Sequence, residues 1–218
     1  MKKEKRPPET GSGKRSKYRK PAIAVILFGI ALILGAGALF GYNLWDNSRA
    51  ERESAKILEA LEKQMPAEDR YPSGDGEPDF RVETVDGYEY IGVLAIPSEN
   101  LKLPVMAEWD YTRLTISPCR YAGSYKTDDL VICAHNYASH FGSIQSIGLG
   151  VELKFKAIDG SVYSYKVANR EVLEPTAVED MVQNRNNSDR KAEDWDLTLF
   201  TCNTSGMARC ALRCIRTN

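Results

Sequence analysis

The chain has 218 residues and a formal net charge of −1, a near-zero total that hides a division: residues 1–20 hold nine Lys or Arg against Glu4 and Glu9, leaving −8 on the remainder. A basic terminus ahead of an acidic body argues for two compartments or two partners. Five cysteines, an odd number, exclude complete pairing within one molecule, and two histidines with no CxxC pair argue against a zinc centre, so no metal is expected.

Residues 1–20 are read as a basic tail. From Pro21 to Trp45 there is no charged residue, and Ala22 to Gly41 supplies about twenty apolar or small positions, enough to cross ~30 Å of hydrocarbon as a helix. Residues 21–45 therefore read as an uncleaved transmembrane signal anchor. A cleaved signal peptide is the alternative, with Ala36-Gly37-Ala38 as a weak candidate site behind an apolar core longer than the usual ~7–15 residues. The positive-inside rule puts the tail in the cytoplasm and everything after Trp45 outside the cell. The basic cluster is then an orientation signal and a lipid-headgroup contact, not a nucleic-acid site.

Residues 46–81 follow as a juxtamembrane helix and linker. Asp46 to Met65 carries Ile57, Leu58, Leu61 and Met65 at helical spacing on a charged background, and reads as a spacer that Pro66 ends. Ala67 to Phe80 is rich in Pro, Gly and acidic residues, as a linker is.

Residues 82–218 have a β texture. Strands are expected at Tyr90–Pro97, Leu101–Met106, Asp129–His135, Val151–Ile158, Ser161–Leu173, Asp196–Cys202 and Ala208–Arg216. Asp159-Gly160 supplies the positive φ angles of a tight hairpin between the fourth and fifth of these. About seven or eight short strands suit one closed or nearly closed all-β domain. A helix is expected at Thr176–Asn186, with Thr176 as its cap and Glu179 at capping-box spacing.

Cys202 closes the run Thr198-Leu199-Phe200-Thr201 and precedes Asn203, Thr204, Ser205 and Gly206, a loop-forming set, so its thiol falls at a strand end on the rim of a sheet. His135 likewise follows a hydrophobic strand. A free thiol has a pKa near ~8.5 and needs a basic or cationic neighbour to act at neutral pH, which an imidazole provides. An oxyanion also needs a fixed donor. Arg209 and Arg213 both qualify, since they share parity on the last strand, and Arg209 lies nearer the nucleophile. Thr201, Asn203, Arg213 and Tyr137 are candidate substrate contacts. Trp109, Tyr111, Tyr121 and Tyr137 suit either a peptide groove or rim packing. His140 is a second candidate base or a loop residue, and Cys119, Cys133, Cys210 and Cys214 read most simply as small buried hydrophobes.

The TLFTC run, Arg209 at the head of a last strand, the histidine strand upstream and the single amino-terminal membrane helix together resemble the sortases, bacterial surface transpeptidases whose hallmark is TLxTC. The resemblance spans roughly Tyr90 to Arg216. It implies a closed eight-stranded sortase-type β-barrel with short helices. It also implies a thioacyl intermediate on Cys202, with His135 passing protons and Arg209 holding the oxyanion, and no cofactor. The implied partners are exported proteins or pilins bearing an LPxTG-like sorting motif, with a cell-wall precursor amine or a lysine as acceptor. A thiol peptidase resolved by water, and a silent domain that binds cell-wall peptides, are the competing functions. The helical insertion at Glu174–Trp195 resembles class B sortases but is short for them. Residues 66–90 carry no Asp-Pro-aromatic lid motif of the class C kind, and Cys133 stands where a small residue is more usual.

Overall fold

The run Glu152–Ala157 buries Leu153, Phe155 and Ala157 and turns Glu152 and Lys154 outward, the period-two pattern of a strand with one face on a core. The computed structural model describes residues 19–67, 80–183, 195–203 and 206–218. In chain order its elements are helix α1 (Arg19–Gln64), strands β1 (Glu83–Val85), β2 (Tyr88–Ile96) and β3 (Leu101–Met106), helix α2 (Tyr111–Leu114), strands β4 (Cys119–Ala122), β5 (Leu130–Cys133), β6 (Glu152–Ala157) and β7 (Val162–Leu173), helix α3 (Val178–Val182), and strands β8 (Leu197–Cys202) and β9 (Arg209–Arg216).

The sheet runs β1-β2-β3-β4-β5-β8-β9-β7-β6, and β6 returns to pair with β2. Eight strands, β2 to β9, therefore close into a barrel, and β1 is a short flank on β2. Every hairpin pair is antiparallel, whereas β3–β4 and β5–β8 are parallel. The interior holds Ile91, Leu94, Phe155, Tyr165, Leu199 and Leu212. A second cluster forms on the outer face from Val93, Met106, Cys119, Cys133 and Phe200.

The chain divides into two units at Asp46. The first, where described, is the apolar start of α1, long and apolar enough to cross a membrane. The second contains the rest of α1, and here the expected spacer turns out to be part of the domain. Ile57, Leu61 and Met65 are buried in the outer-face cluster against residues such as Val85 and Tyr90. Lys56 adds an ion pair to Asp86 at 2.8 Å, and Lys102 pairs with Glu62. In the second unit the helix continues to Gln64, since no Pro or Gly occurs between Asn47 and the Pro66 that follows its end.

Three local expectations change. The insertion helix is shorter than expected, Val178–Val182, and begins at Ala177 with no side-chain cap, so Thr176 does not cap it; its expected end at residues 184–186 lies outside the described residues. Strand β4 escaped the pattern because its four residues, Cys-Arg-Tyr-Ala, contain no apolar run. Helix α2 was also missed, although Asp110 caps it by accepting from the Arg113 N–H at 2.7 Å.

Candidate active site

Register brings the candidate residues together. Strand β8 pairs antiparallel with β9 and sets Cys202 directly opposite Arg209. It pairs parallel with β5 on its other edge, Cys133 opposite Phe200. The pairing continues past the end of β5: the Ala134 N–H donates to the Phe200 carbonyl at 3.2 Å, and the Thr201 hydroxyl donates to the Ala134 carbonyl at 2.8 Å. His135, two residues past the end of β5, is thereby carried to the rim where β8 ends at Cys202. Across the rim the order is His135, Cys202, Arg209.

These three residues line one pocket of about 300 Å³. Cys133 and Phe200 line it below the thiol, Pro175, Val178 and Met181 from the α3 segment form one wall, and Trp109, Tyr111 and Tyr121 form another. A larger hollow of about 410 Å³ lies between the end of α1 and the β2–β6 face, lined by Lys102, Lys154 and Lys156, and it contains no thiol or imidazole. Volume alone does not mark the site.

Among five cysteines, Cys202 alone is partly exposed; the other four are buried. Burial raises the Cys119 and Cys214 thiols far above the ordinary range, pushes Cys133 up to about 12, and raises Cys210 as well. Cys210 and Cys214 face away from Arg209, as their parity requires.

The two arginines separate cleanly. Arg213 is 2% exposed and its guanidinium is occupied: Nε and Nη2 donate to Glu171 Oε2 at 2.9 and 2.8 Å, Nη2 to the Asp180 carbonyl at 2.6 Å, and Nη1 to the Met181 carbonyl and Thr198 hydroxyl at 3.1 Å each. It does not reach the Cys202 pocket; it pins α3 to β8 and β9. Arg209 makes only two long contacts among the described residues, 3.4 Å each to the Gly206 and Ala208 carbonyls, so most of its donors remain open to the pocket.

The remaining sequence candidates have mostly structural partners. Thr201 is buried, and its hydroxyl ties β8 to β5. Asn203 closes the β8–β9 turn, its side-chain carbonyl accepting from the Ala208 N–H at 3.2 Å. The Tyr137 ring sits 4.9 Å from that of His135 and 5.4 Å from that of His140, behind the imidazole and outside the pocket lining. His140 is fully buried, with both ring nitrogens unpaired among the described residues, and burial, then His135 and Arg49, lowers it to about 4. It is not among the residues that line the Cys202 pocket. The α3 wall was not anticipated residue by residue, because nothing in Pro175, Val178 or Met181 signals a pocket until the chain folds.

A family model described as Sortase domain matches residues 94–215, more than half of the chain. The chain belongs to the sortase family. This sortase is similar in fold to a Clostridium perfringens sortase D5 transpeptidase, with 15% identity and a TM-score of 0.56 over 77% of this chain and 99% of that one. It is also similar to sortase C1 from Streptococcus agalactiae, with 20% identity and a TM-score of 0.50 over 62% of this chain and 71% of the other. Sortase C2 of Group B Streptococcus Pilus Island 1 gives 19% identity and 0.50 over 78% and 97%. No curated protein sequence matches. Identity at this level carries the fold alone, while the family assignment makes the chain a transpeptidase of the sortase type.

Proposed function

We propose that this sortase is a membrane-anchored cysteine transpeptidase that cleaves an LPxTG-like sorting motif of exported proteins and passes the acyl group to an amine. The convergence of Cys202, His135 and Arg209 on one pocket carries the reading. The Cys202 thiolate attacks the scissile carbonyl carbon, the Arg209 guanidinium donates to the resulting oxyanion, and His135 gives a proton to the departing amine as the C–N bond breaks. A thioester remains on Cys202. The incoming amine loses its proton to His135 and attacks the thioester, and the thiolate leaves. Two walls of apolar and aromatic side chains shield the thioester from water, which favours aminolysis over hydrolysis.

The apolar start of α1 supports a single-pass anchor at residues 21–45, with residues 1–20 in the cytoplasm and the catalytic domain, 82–218, outside the cell. Residues 46–81 then join anchor to domain, their helical part packed on the barrel. Substrates on this reading are surface proteins or pilins, and the acceptor is a cell-wall precursor amine or a lysine.

The test uses the full chain in detergent with a panel of Leu-Pro-x-Thr-Gly peptides, with and without an amine. Intact-mass analysis is expected to find an acyl adduct on Cys202 and an amine-dependent ligation product, both absent in Cys202→Ala. Cleavage without any ligation product would leave a water-resolved peptidase. No adduct on any peptide would sink the catalytic reading.

A further inference from the structure

The segment from His135 to Gly142 winds into a closed turn. The His140 and Gly142 N–H groups both donate to the Tyr137 carbonyl, at 3.0 and 2.9 Å, and the Phe141 N–H donates to the His135 carbonyl at 3.1 Å. Gly142 permits this closure, because a Cβ there would come within 2.8 Å of the Tyr137 carbonyl oxygen and 2.9 Å of that of Asn136. Phe141 and Ile144 fix the far end of the turn in the barrel interior, and the Asn136 amide reaches the carbonyl of Asn203, the residue after the nucleophile, at 3.4 Å. Held in this way, the turn sets one tyrosine ring between two imidazoles.

The Tyr137 ring lies 4.9 Å from that of His135 at an interplanar angle of 36°, and 5.4 Å from that of His140 at 56°. The smaller tilt is nearer to stacking than to edge contact, so an imidazolium at His135 meets the electron-rich face of the phenol. The second imidazole does not compete for that face. His140 is fully buried, neither ring nitrogen is hydrogen-bonded among the described residues, and burial holds it at about 4. At neutral pH it is an uncharged ring that backs the phenol.

The charges around His135 say what the stack is for. Cys202 of β8 and Arg209 of β9 line the same pocket, together with the Cys133 thiol and the Tyr111 and Tyr121 phenols, and Arg49 of α1 acts on the His140 side. On the proposed mechanism His135 must carry a proton when the C–N bond breaks, and two guanidinium groups nearby oppose a further positive charge. A cation within about 6 Å of a ring centroid, over its face, is attracted to it. The Tyr137 ring supplies that attraction from behind the imidazole, where it leaves the pocket open to substrate.

We propose that Tyr137 is a positioning residue for the proton transfers: its ring face, backed by His140, holds the His135 imidazole in its place in the Cys202 pocket and favours the protonated form. The inference rests on the transpeptidase reading above. It makes Tyr137 a support of the histidine and not a contact of the substrate.

The chain has two histidines, so the full chain in detergent, with histidine isotopically labelled at Cε1, gives two imidazole signals by NMR. In a Cys202→Ala background His135 titrates without the thiol that would couple to it. Tyr137→Leu and Tyr137→Met, two variants without a ring, are expected to move the His135 midpoint to lower pH, and Tyr137→Phe to leave it nearly unmoved. With Cys202 restored and a Leu-Pro-x-Thr-Gly donor, the ring-free variants are expected to lower kcat about three- to tenfold near pH 7 with KM little changed, and Tyr137→Phe to retain most of the rate. Urea midpoints of the same variants separate this loss from a loss of fold. An unmoved His135 midpoint in the ring-free variants, a loss carried by KM alone, or a Tyr137→Phe chain as slow as Tyr137→Leu overturns the positioning role. Absence of any Cys202 adduct in the wild type overturns the transpeptidase reading instead, and the titration, which needs no turnover, still decides whether Tyr137 holds the proton on His135.

Discussion

Two arginines two residues apart along one strand face do different work, and their neighbours decide which. Arg213 has five donor contacts inside the protein, so Arg213→Ala leaves Glu171 with only the Asn169 amide as partner and removes the donor from the Asp180 and Met181 carbonyls and the Thr198 hydroxyl. That change is expected to cost about 3 kcal/mol or more of stability in urea unfolding. Arg209→Ala is expected to leave the urea midpoint nearly unmoved and to lower kcat by about 10²- to 10³-fold, the range for losing an oxyanion donor. His140 gives a pH signature. Its ordinary value near 6.5 in the unfolded chain falls to about 4 in the fold, mainly through burial. Between those values the unfolded state binds the extra proton, so stability is complete above about pH 6.5 and is lost as pH falls toward 4, by roughly 3 kcal/mol. Urea midpoints at pH 7, 6, 5 and 4 are expected to show that slope, and His140→Phe to flatten it.

Elements place these residues by register. Strand β5 must leave the β4–β5 turn in one alignment for His135 to end beside Cys202. Gly123 sets that turn, with φ of +68° and a backbone so close to the Asp129 carbonyl that a Cβ would collide with it. Gly123→Ala is expected to destabilise by roughly 2 kcal/mol or more and to lower activity further in the folded fraction, measured by thermal unfolding alongside thioacyl formation. The long strands were legible in the sequence because period-two alternation is a local signal, and the hairpin between β6 and β7 is there, but it is not the primed turn expected of Asp159-Gly160: only Gly160 has a positive φ, +88°, and Asp159 does not. Strand β4 was not legible, since its place comes from a parallel bridge to β3 and pairing with β5, contacts no four-residue pattern encodes. Helix α3 is held by Arg213 rather than by the cap that Thr176 seemed to offer.

For the molecule as a whole, α1 is both the candidate anchor and a layer of the catalytic domain. Ile57, Leu61 and Met65 each remove a large apolar side chain from water against the outer face of the barrel, a contribution of about 1.5–3 kcal/mol apiece before entropy. A fragment beginning at Asn47 is therefore expected to unfold several degrees above one beginning at Pro66, as scanning calorimetry would measure. The sequence alone determined the long apolar segment ahead of the domain, the β class of the domain, and Cys202 and His135 as residues at strand ends, because hydropathy, alternation and loop-forming neighbours act over short stretches of chain. Only the tertiary structure put Arg209 and not Arg213 in the lining of the Cys202 pocket, buried His140 outside that lining, docked the second half of α1 on the barrel and lined the pocket with residues of α3 and with aromatic rings. Those outcomes depend on which strands lie side by side, and that is fixed by closure of the barrel rather than by any local run of residues.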